Sequence, residues 1–229
     1  TLLIKNLIWQ AYTWIKTGKM EPIEGNIRSF WYMNVKSVLS RLGFNTSGRR
    51  LSEKLYDAFV EMIVNYRLFR YMDMGFLDER QYHRTVGKTN GNLILLVEKD
   101  GLFGLAKQVA LQNDTTAISS GGFPSYLTLE FLLSDMARAG LLREPVHIFS
   151  VVDYDPSGYW IEREFTEQFK QYDIKIASQH SLIKPDSVPV GLLDIAKYKL
   201  DKSSKTMNWL KLTEGINGEP YGLEADAVG

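Results

Sequence analysis

Two textures of hydrophobic spacing divide the 229-residue chain. In NIRSFWYMNVKSVLSRL (26–42), Ile27, Trp31, Val35 and Leu39 stand at four-residue steps, and in LSEKLYDAFVEMIVNYRLF (51–69) Leu55, Phe59 and Ile63 repeat the spacing. Both stretches predict amphipathic helices. A polar stretch rich in Asp and Arg, 70–86, reads as a hairpin or a loop, and helices followed by a short hairpin suit a winged-helix module. Turn residues in GKTNGN (87–92) then break the chain.

Beyond that break the texture alternates. LILLVEK (93–99) reads as a buried strand, 102–112 as a helix, TTAISSGG (115–122) as a strand and then a loop, and 125–139 as a helix. VHIFSVVDYD (146–155) reads as a long strand, 157–171 as a helix and IKIAS (174–178) as a further strand. Strands that alternate with helices of this length predict crossover units and a mostly parallel sheet, hence an α/β fold. In such sheets the working groups lie beyond the carboxyl ends of the strands. The acidic residues fall there: Glu98 after the first strand, Asp153 and Asp155 after the third.

Composition narrows the class. Lysines and arginines number 27 and so do the acids, so the net charge is zero. A protein that coats nucleic acid with its whole surface is therefore not expected. The charges are placed unevenly, however: from 28 to 54 the basic residues are Arg28, Lys36, Arg41, Arg49, Arg50 and Lys54, against Glu53 alone. That is a local basic patch able to contact phosphates, or a solvated helix face. The absence of cysteine excludes disulfides and thiolate metal sites and fits a reducing compartment. No uncharged apolar run reaches the ~18 residues of a membrane helix. TLLIKNLIWQAYTWIK carries Lys5 inside its apolar stretch and does not read as a plain signal peptide. Thr1 in place of Met suggests that the natural start lies upstream.

Three carboxylates at one sheet edge repel each other unless a cation neutralises them. In an extended segment residues i and i+2 point the same way, so Asp153 and Asp155 are expected to share one ion. Oxygen-only ligands favour Mg²⁺. Asp155 or Ser157 as the N-cap of the next helix is the structural alternative. Lys99 and Asp100, next to Glu98, line the site or sit on the surface. His83, His147 and His180 lack ligand spacing, and the chain contains no phosphate-binding loop for ATP.

These residues also carry a resemblance. LLVEKDGLF followed by VVDYDPSG resembles the Toprim signature of a glutamate after one strand and D-x-D after another. More narrowly, E-K-D-x-x-F, D-x-D-P-x-G and the loop GGFPSYLT are similar to the A subunit of topoisomerase VI and the related meiotic double-strand-break transesterase. GLLDIAKYKL and EADA resemble the segments that close that family's Toprim domain. The likeness runs over roughly 25–228, with departures: Leu129 follows Thr128 where the family has arginine, Ser120-Gly121-Gly122 replaces its G-x-G loop, and the stretch from Tyr32 to Glu98 is short.

The resemblance implies a helical winged-helix (CAP-like) module over 1–88 and a Toprim domain with a mostly parallel, Rossmann-like sheet over 89–229. It points upstream to RSFWYMNV, where Arg28 and Tyr32 match the family's catalytic tyrosine four residues after an arginine. On a helix these two share a face, so a guanidinium and a phenol reach one phosphate. Phe30, Trp31 and Tyr154 read as packing or stacking residues. The implied catalytic set is Tyr32, Arg28 and Glu98, the Mg²⁺ ligands are Glu98, Asp153 and Asp155, and the DNA contacts are Arg28, Lys36, Arg41, Arg49 and Arg50. The implied reaction is tyrosine transesterification on double-stranded DNA by a homodimer, with a separate GHKL-type ATPase B subunit for strand passage. The implied setting is intracellular and DNA-associated, in nucleoid or nucleus. Two other functions stay open: a hydrolytic Toprim nuclease, as in plasmid-defence complexes, and a non-catalytic DNA-binding subunit.

Overall fold

The structure, a computed structural model, describes residues 1–228. They fall into two compact units. The first comprises Thr1–Glu79 with Tyr126–Phe131, and the second Arg80–Ser125 with the residues from Leu132 onward.

The first unit is helical. Helix α1 (Leu2–Lys16) buries Ile4, Ile8 and Ala11, one stripe at helical spacing. Helix α2 (Ile27–Phe30) starts at Asn26, whose side chain accepts the Ser29 N–H at 2.8 Å. Beyond Phe30 the hydrogen-bond ladder widens into a π-helical turn, Trp31–Val35, and closes again as α3 (Lys36–Arg41). Helix α4 (Arg49–Val60) runs into a second π turn, Glu61–Asn65. The expected apolar positions Ile27, Trp31, Val35 and Leu39 are all buried, as are Leu55, Phe59 and Ile63. At the centre, Phe59 meets Phe30 and Phe76 edge-on, each with centroids 5.4 Å apart. The stretch 70–86, which belongs to this unit only as far as Glu79, forms no hairpin of its own; it carries 3₁₀ turns at Met72–Met74 and Gln81–His83 and ends in the two-residue strand Arg84–Thr85.

The second unit is α/β. Its strands are β1 (Arg84–Thr85), β2 (Asn90–Val97), β3 (Thr115–Ser119), β4 (Val146–Val151) and β5 (Ile176–Ser181), in sheet order β1-β3-β2-β4-β5. Only β1 runs antiparallel. Helix α5 (Phe103–Asn113) joins β2 to β3, and α7 (Pro156–Gln171) joins β4 to β5. Helix α6 (Tyr126–Arg138) lies between β3 and β4 in the chain and is divided between the units after Phe131. From β2 the chain moves outward to β3, and from β4 it moves outward the other way to β5. The adjacent carboxyl ends of β2 and β4 therefore flank the topological switch point, where open α/β sheets bind ligands.

Two expected strands are corrected. The strand expected to reach Asp155 ends at Val151, because Asp155 N–H turns back onto the Asp153 carbonyl at 3.0 Å and begins α7. The strand expected over 174–178 is β5, two residues later at its start. The remaining elements were not anticipated: α8 (Val190–Ala196), β6 (Lys197–Lys199), α9 (Ser204–Thr213) and β7 (Tyr221–Leu223), with β6 and β7 paired antiparallel. Ile183, Val188, Ala196, Ile216, Leu223 and Ala225 form their small core. Tyr154 exchanges backbone hydrogen bonds with Leu223, which fastens this segment beside the end of β4.

Candidate active site

The second unit assembles the acidic edge. Glu98 follows β2, and one of its oxygens accepts the Asp153 N–H at 3.3 Å. Burial raises the Glu98 carboxyl above the usual carboxylate range, and the charges of Asp153 and Asp155 push it the same way. The charges of Asp153 and Asp155, just beyond β4, thus reach Glu98, just beyond β2.

Asp153 and Asp155 do not point together from an extended strand, because the turn at Tyr154 separates them. Asp155 caps α7: Oδ1 accepts the Gly158 N–H at 2.7 Å, with Pro156 in the first helical turn. Its Oδ2 accepts the Tyr198 hydroxyl at 2.8 Å, and burial together with that carboxylate holds the Tyr198 phenol protonated, well above its ordinary range. Asp153 Oδ1 accepts the Ala225 N–H at 2.8 Å. Gly158 is required by close approach: a Cβ there would lie 2.0 Å from the Asp153 carbonyl oxygen.

Sequence reasoning left Lys99 undecided, and the structure places it inside the edge. Its ammonium lies 3.0 Å from Asp153, 2.7 Å from Glu224 and 3.1 Å from Asp226. Burial opposes its charge, but the three carboxylates outweigh burial and hold it protonated. Glu224 and Asp226 come from EADA, quoted above for likeness alone; nothing local in that tetrapeptide forecasts a contact with residue 99. Asp100 turns elsewhere, to the Arg80 guanidinium and the Ser119 hydroxyl.

The donor set suits a hard cation in its chemistry, being all oxygen and mutually repelling. Among the described residues, however, no three acidic or histidine side chains form a ready cage for a metal ion. Three of the four aspartate oxygens already have partners: the Lys99 ammonium and the Ala225 N–H hold Asp153 Oδ1, the Gly158 N–H holds Asp155 Oδ1 and the Tyr198 hydroxyl holds Asp155 Oδ2.

In the first unit, Arg28, Tyr32, Lys36 and Arg49 line one cleft of about 410 Å³, with Ser47 and Tyr56. Tyr32 sits on the π turn and is 51% exposed, whereas its neighbour Trp31 is buried. Two cations flank its ring: the Lys36 ammonium 4.9 Å and the Arg28 guanidinium carbon 6.0 Å from the ring centre. Arg41 and Arg50 are exposed but do not line the cleft. Phe30 and Trp31 are core residues, and Tyr154 packs on Trp209 at 5.1 Å.

No protein-family model and no curated protein matches the chain.

Proposed function

We propose that the protein is a DNA-cleaving transesterase of the topoisomerase VI A type, with a helical module before a Toprim domain. The observation that carries this reading is the setting of Tyr32: a half-exposed phenol on a π turn, between Arg28 and Lys36, in a cleft that also holds Arg49. π turns are rare and frequent at functional sites. A buried packing tyrosine needs neither a cleft nor two flanking cations.

In the proposed reaction the Tyr32 hydroxyl attacks a backbone phosphorus. The Oη–P bond forms as the bond from phosphorus to the 3′-oxygen breaks, the phenolic proton leaves and the 3′-oxygen takes up a proton. The product is a 5′-phosphotyrosyl link, which conserves the phosphodiester energy and allows resealing. Arg28 and Lys36 hold the phosphate and offset its charge, worth most where water is excluded. Glu98, Asp153 and Asp155 are the residues that would hold Mg²⁺, which when bound supplies charge stabilisation at the phosphate and the leaving oxygen. The reading includes a homodimer on double-stranded DNA, served by a separate ATPase subunit.

Covalent trapping tests it. Purified protein, alone and with any ATPase partner that co-purifies, is incubated with supercoiled DNA and Mg²⁺, denatured and examined for protein-linked DNA. The expected adduct disappears in Tyr32→Phe and in Glu98→Ala. Cleavage that survives Tyr32→Phe but is lost in Glu98→Ala would replace the transesterase with a metal-dependent hydrolase.

A further inference from the structure

Within the second unit, helices α7 and α9 and strand β5 line a pocket of about 300 Å³, at the lower end of the range for small-molecule sites. Glu162, on α7, lines it although it is only 9% exposed. Its Oε1 is buried and has no hydrogen-bond partner among the described residues. Burial raises the Glu162 carboxyl above the usual carboxylate range, while the Ser150 and Ser181 hydroxyls and the Lys184 charge pull the other way. A buried carboxyl oxygen without a donor costs stability, which a ligand bearing N–H groups recovers. The rest of the lining narrows the ligand. The Lys184 ammonium disfavours a cation, and Asp153 and Asp155 in the same lining disfavour an anion. Val152, Tyr159 and Trp209 supply an apolar and aromatic wall that suits a flat neutral ring. Such a ring must offer donors to Glu162 and an acceptor to Lys184. Guanine offers both on one edge: N1–H and N2–H lie side by side, a match for a carboxylate, and O6 next to them accepts. Adenine and cytosine present a carboxylate with one amino group, thymine and uracil with one ring N–H.

We propose that this pocket binds a guanine base, with Glu162 accepting from N1–H and N2–H and Lys184 donating to O6. Neither Tyr32 nor a metal ion takes part, so the cleavage reading stands or falls separately. The base comes either from a free nucleoside or from an unpaired position of a DNA strand, where enzymes read a flipped base by the same edge.

The test is equilibrium dialysis of labelled guanosine against the full chain, without divalent ions, with inosine and adenosine as competitors. Inosine lacks the N2 amino group and is expected to compete about tenfold more weakly than guanosine, and adenosine, which lacks O6 as well, about 100-fold more weakly. Glu162→Gln, checked for native circular dichroism, is expected to lose the advantage of guanosine over adenosine. Lys184→Gln is expected to weaken guanosine and inosine by the same factor. A short single strand with one guanine among thymines is compared with an all-thymine strand to separate the two sources. Glu162-dependent binding of the guanine strand that is tighter than that of guanosine assigns the base to DNA; no gain over guanosine assigns it to the free nucleoside. Equal competition by the three nucleosides, or a guanine preference that survives in folded Glu162→Gln, overturns the proposal. So does a failure to bind guanosine together with equal binding of the two strands. The comparison of nucleosides on the wild type decides the matter should the glutamine variant not fold.

Discussion

Asp155 illustrates how one side chain serves folding and site together. Its Oδ1 caps α7 while Oδ2 takes the Tyr198 hydroxyl. Removing the cap by Asp155→Ala is expected to cost about 1 kcal/mol of stability. Asp155→Asn retains an oxygen for the Gly158 N–H and is expected to stay within about 0.5 kcal/mol of wild type. On the metal reading, both variants weaken Mn²⁺ binding. Urea unfolding beside Mn²⁺ titration separates the two roles; equal loss of stability in both variants would remove the cap argument. Gly158→Ala forces a methyl against the Asp153 carbonyl and is expected to destabilise by about 1–3 kcal/mol, more than Asp155→Ala in the same unfolding assay. The DxDPxG spelling announced the cap and the turn. It could not announce Lys99, Tyr198 or Ala225 as partners of the aspartates, because they lie 43 to 72 positions away.

At the scale of elements, Glu130 ties α6 to the loop after α4 within the first unit. Its two oxygens accept the N–H groups of Tyr71 at 3.1 Å and Met72 at 2.9 Å. Burial raises the Glu130 carboxyl above its ordinary range in spite of those donors. A carboxyl with a raised folded pKa contributes most stability below its unfolded value of about 4.3 and loses that contribution as pH rises through the folded value. Glu130→Gln abolishes this titration. The stability of wild type relative to Glu130→Gln is therefore expected to fall as pH rises above the unfolded value of about 4.3, in urea unfolding. A relative stability that rises with pH contradicts it. The apolar periods forecast the existence of α2 to α4 and of the parallel strands, because burial of one face dictates spacing. They did not forecast the π turn that carries Tyr32, since one widened turn leaves the same apolar residues facing inward. They also overran β4, because an extended strand and a tight turn can share the spelling VVDYD.

For the whole molecule, zero net charge makes any DNA binding a local matter, and on the proposed reading that place is the cleft around Tyr32. Lys36→Gln is expected to weaken binding of a duplex oligonucleotide uniformly across sequences and to reduce the slope of log affinity against log salt by about 1. An unchanged slope would show that phosphates pass elsewhere. Among the described residues no helix is long and apolar enough to cross a membrane. The sequence by itself determined the two textures, the α/β class of the second unit and the strand ends where acids gather. Those depend on local periodicity and on turn residues, which act over a few positions. Only the tertiary structure decided which oxygens stay available, that Lys99 sits among Asp153, Glu224 and Asp226, and that Tyr32 faces a cleft while Trp31 is buried. Those outcomes depend on contacts between distant segments, where a side chain's partner is fixed by the packing of strands and helices rather than by its neighbours in the chain.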